Sequence, residues 1–210
     1  MLTKFLRAAA GSKQPIAFFA SSTSSTASIT LPSNLTSKDL LILFDFSYNS
    51  NSTIPTLVSP SGWTNISNET DSYGGSNQTR AAVWYIAGSS SLSGTSVTGM
   101  AVNTGTRKIC VVFRNAAFSS VGNSPAYDSS SGAATGTLSA GTSPYLGLAF
   151  ATGSGTASLP TAPSGVTYTP SSSGSVICAY TLSGGTGTYT TNDSGNVTAL
   201  KLLAINVTNI

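Results

Sequence analysis

The sequence states one pattern twice. Short apolar blocks broken by Ser, Thr, Gly and Pro run through residues 27–116, and a matching series runs in the same order through 134–207. The clearest shared block is Ser59-Pro60-Ser61-Gly62-Trp63-Thr64 against Ala162-Pro163-Ser164-Gly165-Val166-Thr167. Residues 40–44 align with 146–150, 82–85 with 176–180 (Tyr85 against Tyr180), and 107–116 with 199–207. A repeat of this size sets the architecture before any single residue is read. The second copy is shorter, chiefly opposite residues 67–80 and 86–98 of the first. Insertions of that kind are where contacts are expected, because loops tolerate them.

The blocks read as strands. Residues 16–20, 27–31, 81–86, 95–102 and 108–114 are short apolar or alternating runs bounded by turn residues. Leu40-Leu41-Ile42-Leu43-Phe44-Asp45-Phe46 is continuous, which predicts a strand buried on both faces. Pro60-Ser61-Gly62 predicts a turn into a strand at 63–66, and the polar residues 49–53 and 68–79 predict loops. The second copy predicts strands at 135–139, 146–150, 176–180, 187–190 and 199–207. Charged residues are only 7% of the chain, and the polar content is Ser, Thr, Asn and Gly, which are poor interior helix residues. The fold class expected is therefore all-β: a jelly-roll-like antiparallel β-sandwich of two related halves, with a short N-terminal arm. The arm is residues 1–14 and the sandwich 15–210, the halves sharing one core. Two tandem sandwiches joined by the Ser/Gly-rich stretch 119–133 are the alternative.

Chemistry is constrained by what is missing. The chain has no histidine, which removes His-based triads and Cys-His dyads. Its acids are Asp39, Asp45, Glu69, Asp71, Asp128 and Asp193; Glu69 and Asp71 fall on a predicted solvated loop rather than facing each other across a cleft. No phosphate-cradling Gly-rich loop precedes a helix. Asn192-Asp193-Ser194-Gly195-Asn196 offers one carboxylate, too few for calcium. The expectation is no enzyme, no cofactor and no metal. Net charge is +3, with Arg107-Lys108 the only adjacent basic pair, so no nucleic-acid partner is expected. Cys110 and Cys178 sit in apolar runs and read as buried free thiols, with one disulfide as the alternative.

The first 14 residues stand apart. Leu2, Phe5 and Leu6 would share one side of a short helix beside Lys4 and Arg7. Those five are the candidate docking residues of an arm. Lys4 and Arg7 interrupt any secretion-type apolar stretch, and no run suits a membrane span. Trp63 is replaced by Val166 in the second copy and reads as a packing residue. Trp84 and Tyr85 are adjacent, so they point to opposite faces of a strand. Tyr48, Tyr73, Tyr127 and Tyr168 fall on predicted loops and are the candidate surface contacts.

Three motifs carry a resemblance: Lys38-Asp39-Leu40-Leu41-Ile42-Leu43-Phe44, then Ser59-Pro60-Ser61-Gly62-Trp63-Thr64, then Val83-Trp84-Tyr85-Ile86-Ala87-Gly88. In this order they resemble a module of tailed-phage structural proteins, over residues 27–116 directly and the second half through the repeat. The acidic residue that follows Ala-Gly in that module is absent, Gly88 being followed by Ser89-Ser90-Ser91. The resemblance implies a non-enzymatic β-sandwich of a virion: a head decoration protein or a fibre or tail component. It implies capsid or tail proteins as partners and a virion location, and the missing export signal predicts synthesis in the host cytoplasm. Few charges and many strand edges predict a homo-oligomer, a trimer above all. A carbohydrate- or host-receptor-binding adhesin module, with a host surface glycan as ligand, is the alternative.

Overall fold

The computed structural model describes residues 13–73, 77–98, 105–122, 126–128, 133–139, 145–153, 167–170, 176–182, 186–192 and 197–210. Its first half contains β1 (Ala17–Ser24), β2 (Ser28–Thr30), β3 (Asp39–Asn49), β4 (Thr64–Tyr73), β5 (Asn77–Ala87), β6 (Ser96–Thr98) and β7 (Gly105–Arg114). The second contains β8 (Ala116–Val121), β9 (Ala126–Asp128), β10 (Ala133–Ser139), β11 (Tyr145–Gly153), β12 (Thr167–Pro170), β13 (Val176–Thr181), β14 (Thr186–Asn192) and β15 (Val197–Asn209). A 3₁₀ turn at Ser90–Leu92 is the one helical element among the described residues.

The repeat is a repeat of topology. The first sheet runs β1-β7-β3-β5-β4 and the second β12-β13-β11-β15-β8, which read from its other edge is the same order in the second copy. Each half adds a two-stranded ribbon, β2-β6 or β10-β14, and β9 makes an extra pairing with β15. All pairings are antiparallel. Within each half the pairing is nested, β1 with β7, β2 with β6 and β3 with β5, which is a jelly-roll-like wrapping. The wrapping thus belongs to each half separately, not to the two halves jointly. The stretch 119–133, read as linker, contains the end of β8 and all of β9, and both pair with β15.

One buried cluster lies between the sheets. Leu40, Ile42, Phe44, Phe46, Val83, Ile109, Val111 and Phe113 of the first half meet Leu146, Leu148, Tyr180, Leu203, Ile205 and Val207 of the second. Aromatic pairs cross the gap: Phe113 lies edge-on to Tyr180 at 5.2 Å between centroids, Phe18 stacks on Tyr180 at 5.3 Å, and Tyr85 on Phe118 at 3.9 Å. Such pairs each add about 0.5–1.5 kcal/mol beyond area burial. A second cluster covers the other face of the first sheet. There Leu41, Leu43, Trp63, Ala82, Trp84, Cys110 and Val112 pack under Ile29, Leu31 and Leu35. This explains the apolar run 40–44 of β3, which is covered on both sides. It also explains Trp84 and Tyr85, which point to opposite faces and are both covered.

The motifs behind the resemblance are fold determinants. The Asp39 carboxylate accepts the Thr36 N–H at 2.7 Å and the Arg114 Nε–H at 2.9 Å, closing the entry to β3. Gly88 donates its N–H to Asp39 O at 2.7 Å, and a Cβ there would lie 2.4 Å from the Thr36 carbonyl oxygen. In the Pro-Ser-Gly-Trp turn, the Trp63 N–H bonds Pro60 O at 3.1 Å and Gly62 has φ +81, as a type II turn requires. Trp63, 8% exposed, is a core residue.

Candidate functional site

The positions that apolar periodicity does not explain are three charged residues inside apolar strands. Asp45 interrupts β3, Lys108 lies in β7, and Lys201 lies in β15. Side-chain alternation puts Asp45 and Lys108 on the outer face of the first sheet, below Leu43 and Cys110. They are register partners, and both side chains are 0% exposed. Lys108 Nζ donates to Asp45 Oδ1 at 2.6 Å and to Thr106 Oγ1 at 2.9 Å. The Thr106 hydroxyl donates to Phe46 O at 2.9 Å and lies 3.3 Å from Asp45 Oδ1. Burial pushes the Lys108 ammonium below the usual lysine range, and the Asp45 carboxylate opposes that shift.

Lys201 faces the other way, into the gap between the sheets, and donates to Glu69 Oε1 of β4. This ion pair joins the two halves across the sandwich. Burial lowers the Lys201 ammonium and Glu69 opposes it. Residues 68–79, read as a loop, are mostly strand: β4 and β5 are 10 and 11 residues long, where β12 and β13 are 4 and 6. The first-copy insertion is therefore a longer hairpin, and Glu69 is a cross-sheet partner rather than a solvated loop acid. The reading from sequence missed Lys201. Its signal was a lone charge in the run Leu200-Lys201-Leu202-Leu203.

A third charged group marks the end where the halves join. Arg114 grips Asp39 with Nε and Nη2, at 2.9 and 3.3 Å, and its Cζ lies 3.6 Å from the Phe19 ring centroid. Asn115, with φ +58, turns the chain from β7 into β8 and so from one sheet to the other. The root of the arm is fastened here. Lys13 Nζ donates to Asn209 O at 2.6 Å, Asn209 Nδ2 to Gln14 O at 2.7 Å, and Asn115 Nδ2 to Pro15 O at 3.0 Å.

The docking residues Leu2, Lys4, Phe5, Leu6 and Arg7 lie outside the described residues. The four tyrosines expected on loops are placed on strands: Tyr48 in β3, Tyr73 ending β4, Tyr127 in β9 and Tyr168 in β12. Tyr48 is half-buried against the inter-sheet cluster, its ring over Gly105. The structure does not bring the four together at one sheet end: Tyr73 pairs Asn77 at the hairpin end, while Tyr127 pairs Lys201 and Tyr168 pairs Ala179. Cys110 is a free thiol whose burial raises its pKa, so the single-disulfide alternative does not hold. Among the described residues no group of three or more His, Cys, Asp or Glu side chains is placed to hold a metal ion. No helix among them is long and apolar enough to cross a membrane.

The chemistry of these groups is pairing. Asp39, Asp45 and Glu69 each hold a cation, and each pair ties strands or sheets together. Comparison with family models, with curated proteins and with solved structures returned no match.

Proposed function

We propose that this chain is a non-enzymatic structural protein of a bacteriophage virion surface, a head decoration protein or a fibre or tail component, attached through residues 1–12. The observation that carries this reading is the fastening of the arm root. Lys13, Gln14 and Pro15 are hydrogen-bonded to the last strand and to the corner between the halves. A pull on the arm is therefore shared between both sheets, which suits a display scaffold. The three motifs that resemble tailed-phage proteins agree with it, and so does the use of Asp39, Asp45 and Glu69 as internal ties. Deleting residues 1–12 is the test. Loss of the protein from purified virions, with thermal unfolding of the free protein unchanged, is the expected result; undiminished incorporation overturns it.

Self-association belongs to the same reading. Among the described residues β1 and β4 each pair with one strand of the first sheet, and these sheet edges are where a second copy would add. A trimer is the expected state by light scattering, and a monomer at virion-like concentration counts against it. The adhesin reading is favoured by one observation: the first-copy hairpin is longer and carries Tyr73 at its end. A glycan array probed with the intact chain and with Tyr73→Ala tests it.

A further inference from the structure

The buried pair on the outer face of the first sheet is an unusual expense for a scaffold. Two charges taken out of water recover their desolvation cost only with excellent geometry, and an apolar pair of similar volume often serves as well. The repeat supplies that apolar pair. The residues aligned with Asp45 and Lys108 are Ala151 and Leu200, and they too are direct register partners, between β11 and β15. The fold is built once with Asp/Lys at this place and once with Ala/Leu, so strand pairing does not require the charges.

We propose that Asp45 and Lys108 are the two ends of an intramolecular amide cross-link that staples β3 to β7. Three observations carry this. The nucleophile and the acyl group are in contact, Nζ being 2.6 Å from Oδ1. Both side chains are wholly shielded from solvent, so water does not compete and the amide does not hydrolyse readily. A proton carrier touches both ends: Thr106 Oγ1 is 2.9 Å from Nζ and 3.3 Å from Oδ1.

The step is balanced. The step needs the ammonium proton to pass to the carboxylate, giving an amine and a carboxylic acid, and burial, which disfavours both charged forms, works in that direction. The lowered pKa of Lys108 runs in that direction. The Nζ lone pair attacks Cγ of Asp45, a C–N bond forms, and the acid's C–OH bond breaks. Thr106 takes the proton from nitrogen and hands its own to the departing hydroxyl, which leaves as water. No oxidant, metal or co-reactant is needed. The product replaces two buried charges with one amide, which Thr106 still reaches.

The test is the intact mass of the full chain under denaturing conditions. The expected mass is lower than that of the sequence by one water, and a protease digest yields a branched peptide joining the segments that contain Asp45 and Lys108. Lys108→Arg and Asp45→Ala each return the full mass of their own sequence. Asp45→Asn converges on the same product mass as the unaltered chain, because ammonia leaves in place of water. A full sequence mass for the unaltered, folded chain overturns the proposal, and that measurement needs no variant to fold. Conversion lost in Thr106→Val but retained in Thr106→Ser identifies the hydroxyl as the proton carrier; full conversion in Thr106→Val removes it from that role.

Discussion

At one register the first sheet sets Asp45 against Lys108, and at the matching register the second sheet sets Ala151 against Leu200. At the next position along, the first sheet has Ile109 and the second has Lys201. Two copies with one strand order therefore place their buried cations on different faces. Lys108 ties two strands of the same sheet, while Lys201 reaches across the sandwich to Glu69 of the other half. What the copies share, turns, register and apolar rows, specifies the fold. What they do not share ties parts together: strand to strand in one case, half to half in the other. Within the strands the comparison works as a filter, since Ala151 and Leu200 pair in the same register without the charges that Asp45 and Lys108 carry.

The sharpest way to break this comparison is to remove one partner. Lys108→Ala leaves Asp45 buried without its cation, and the expected loss is about 3–5 kcal/mol in urea unfolding. Asp45→Ala with Lys108→Leu installs the second-copy pair in the first sheet. If the filter is right, that double variant recovers most of the loss. A double variant as unstable as Lys108→Ala would mean that the first sheet needs its charges to fold.

Next in size is the turn that the motifs build. Gly88→Ala sets a Cβ 2.4 Å from the Thr36 carbonyl oxygen, a backbone atom that must move. Overpacking of this kind costs about 1–3 kcal/mol, and here it also disturbs the Asp39–Arg114 pair. Gly62→Ala should cost less, about 1 kcal/mol, because a Cβ there has room and only the φ of +81 is strained. Equal midpoint shifts for the two would argue against close approach as the reason for Gly88.

These residues also mark how far the sequence could be read. Residues 40–46, 81–86 and 108–114 were legible because a continuous apolar run of that length has few alternatives to a buried strand. Trp63 was legible as core because the repeat replaces it with Val166. β8 was not: Ala116-Ala117-Phe118-Ser119-Ser120 has little apolar signal, and its strand state comes from pairing with β15. β4 was hidden for a related reason. Past the strand expected at 63–66, Asn68-Glu69-Thr70-Asp71-Ser72 reads as a loop, yet an edge strand needs one partner and one covered face, and β5 supplies the partner. The partners of Asp45, Lys108 and Lys201 could not be read at all, because they depend on register and on which sheet faces which.

The smallest expected effect is a pH dependence that separates the two cations. The folded-state pKa of Lys201 is lowered from its ordinary 10.5, first by burial, with Glu69 opposing. Between the lowered value and 10.5 the unfolded chain binds more protons than the folded one, so stability rises with pH through that window. Below the window both states are protonated and the penalty is constant. Cys110, raised by burial, works the other way above its ordinary 9.0, because the unfolded thiol then ionises first. Differences between variants cancel that thiol contribution. Lys201→Met should flatten the rise, by less than about 1.4 kcal/mol per pH unit. Lys108 has the same direction as a free amine but no titration as an amide. If the cross-link forms, Asp45→Ala with Lys108→Leu leaves the pH slope of the unaltered chain in place, and only Lys201→Met reduces it. If the pair remains ionic, both changes flatten the slope.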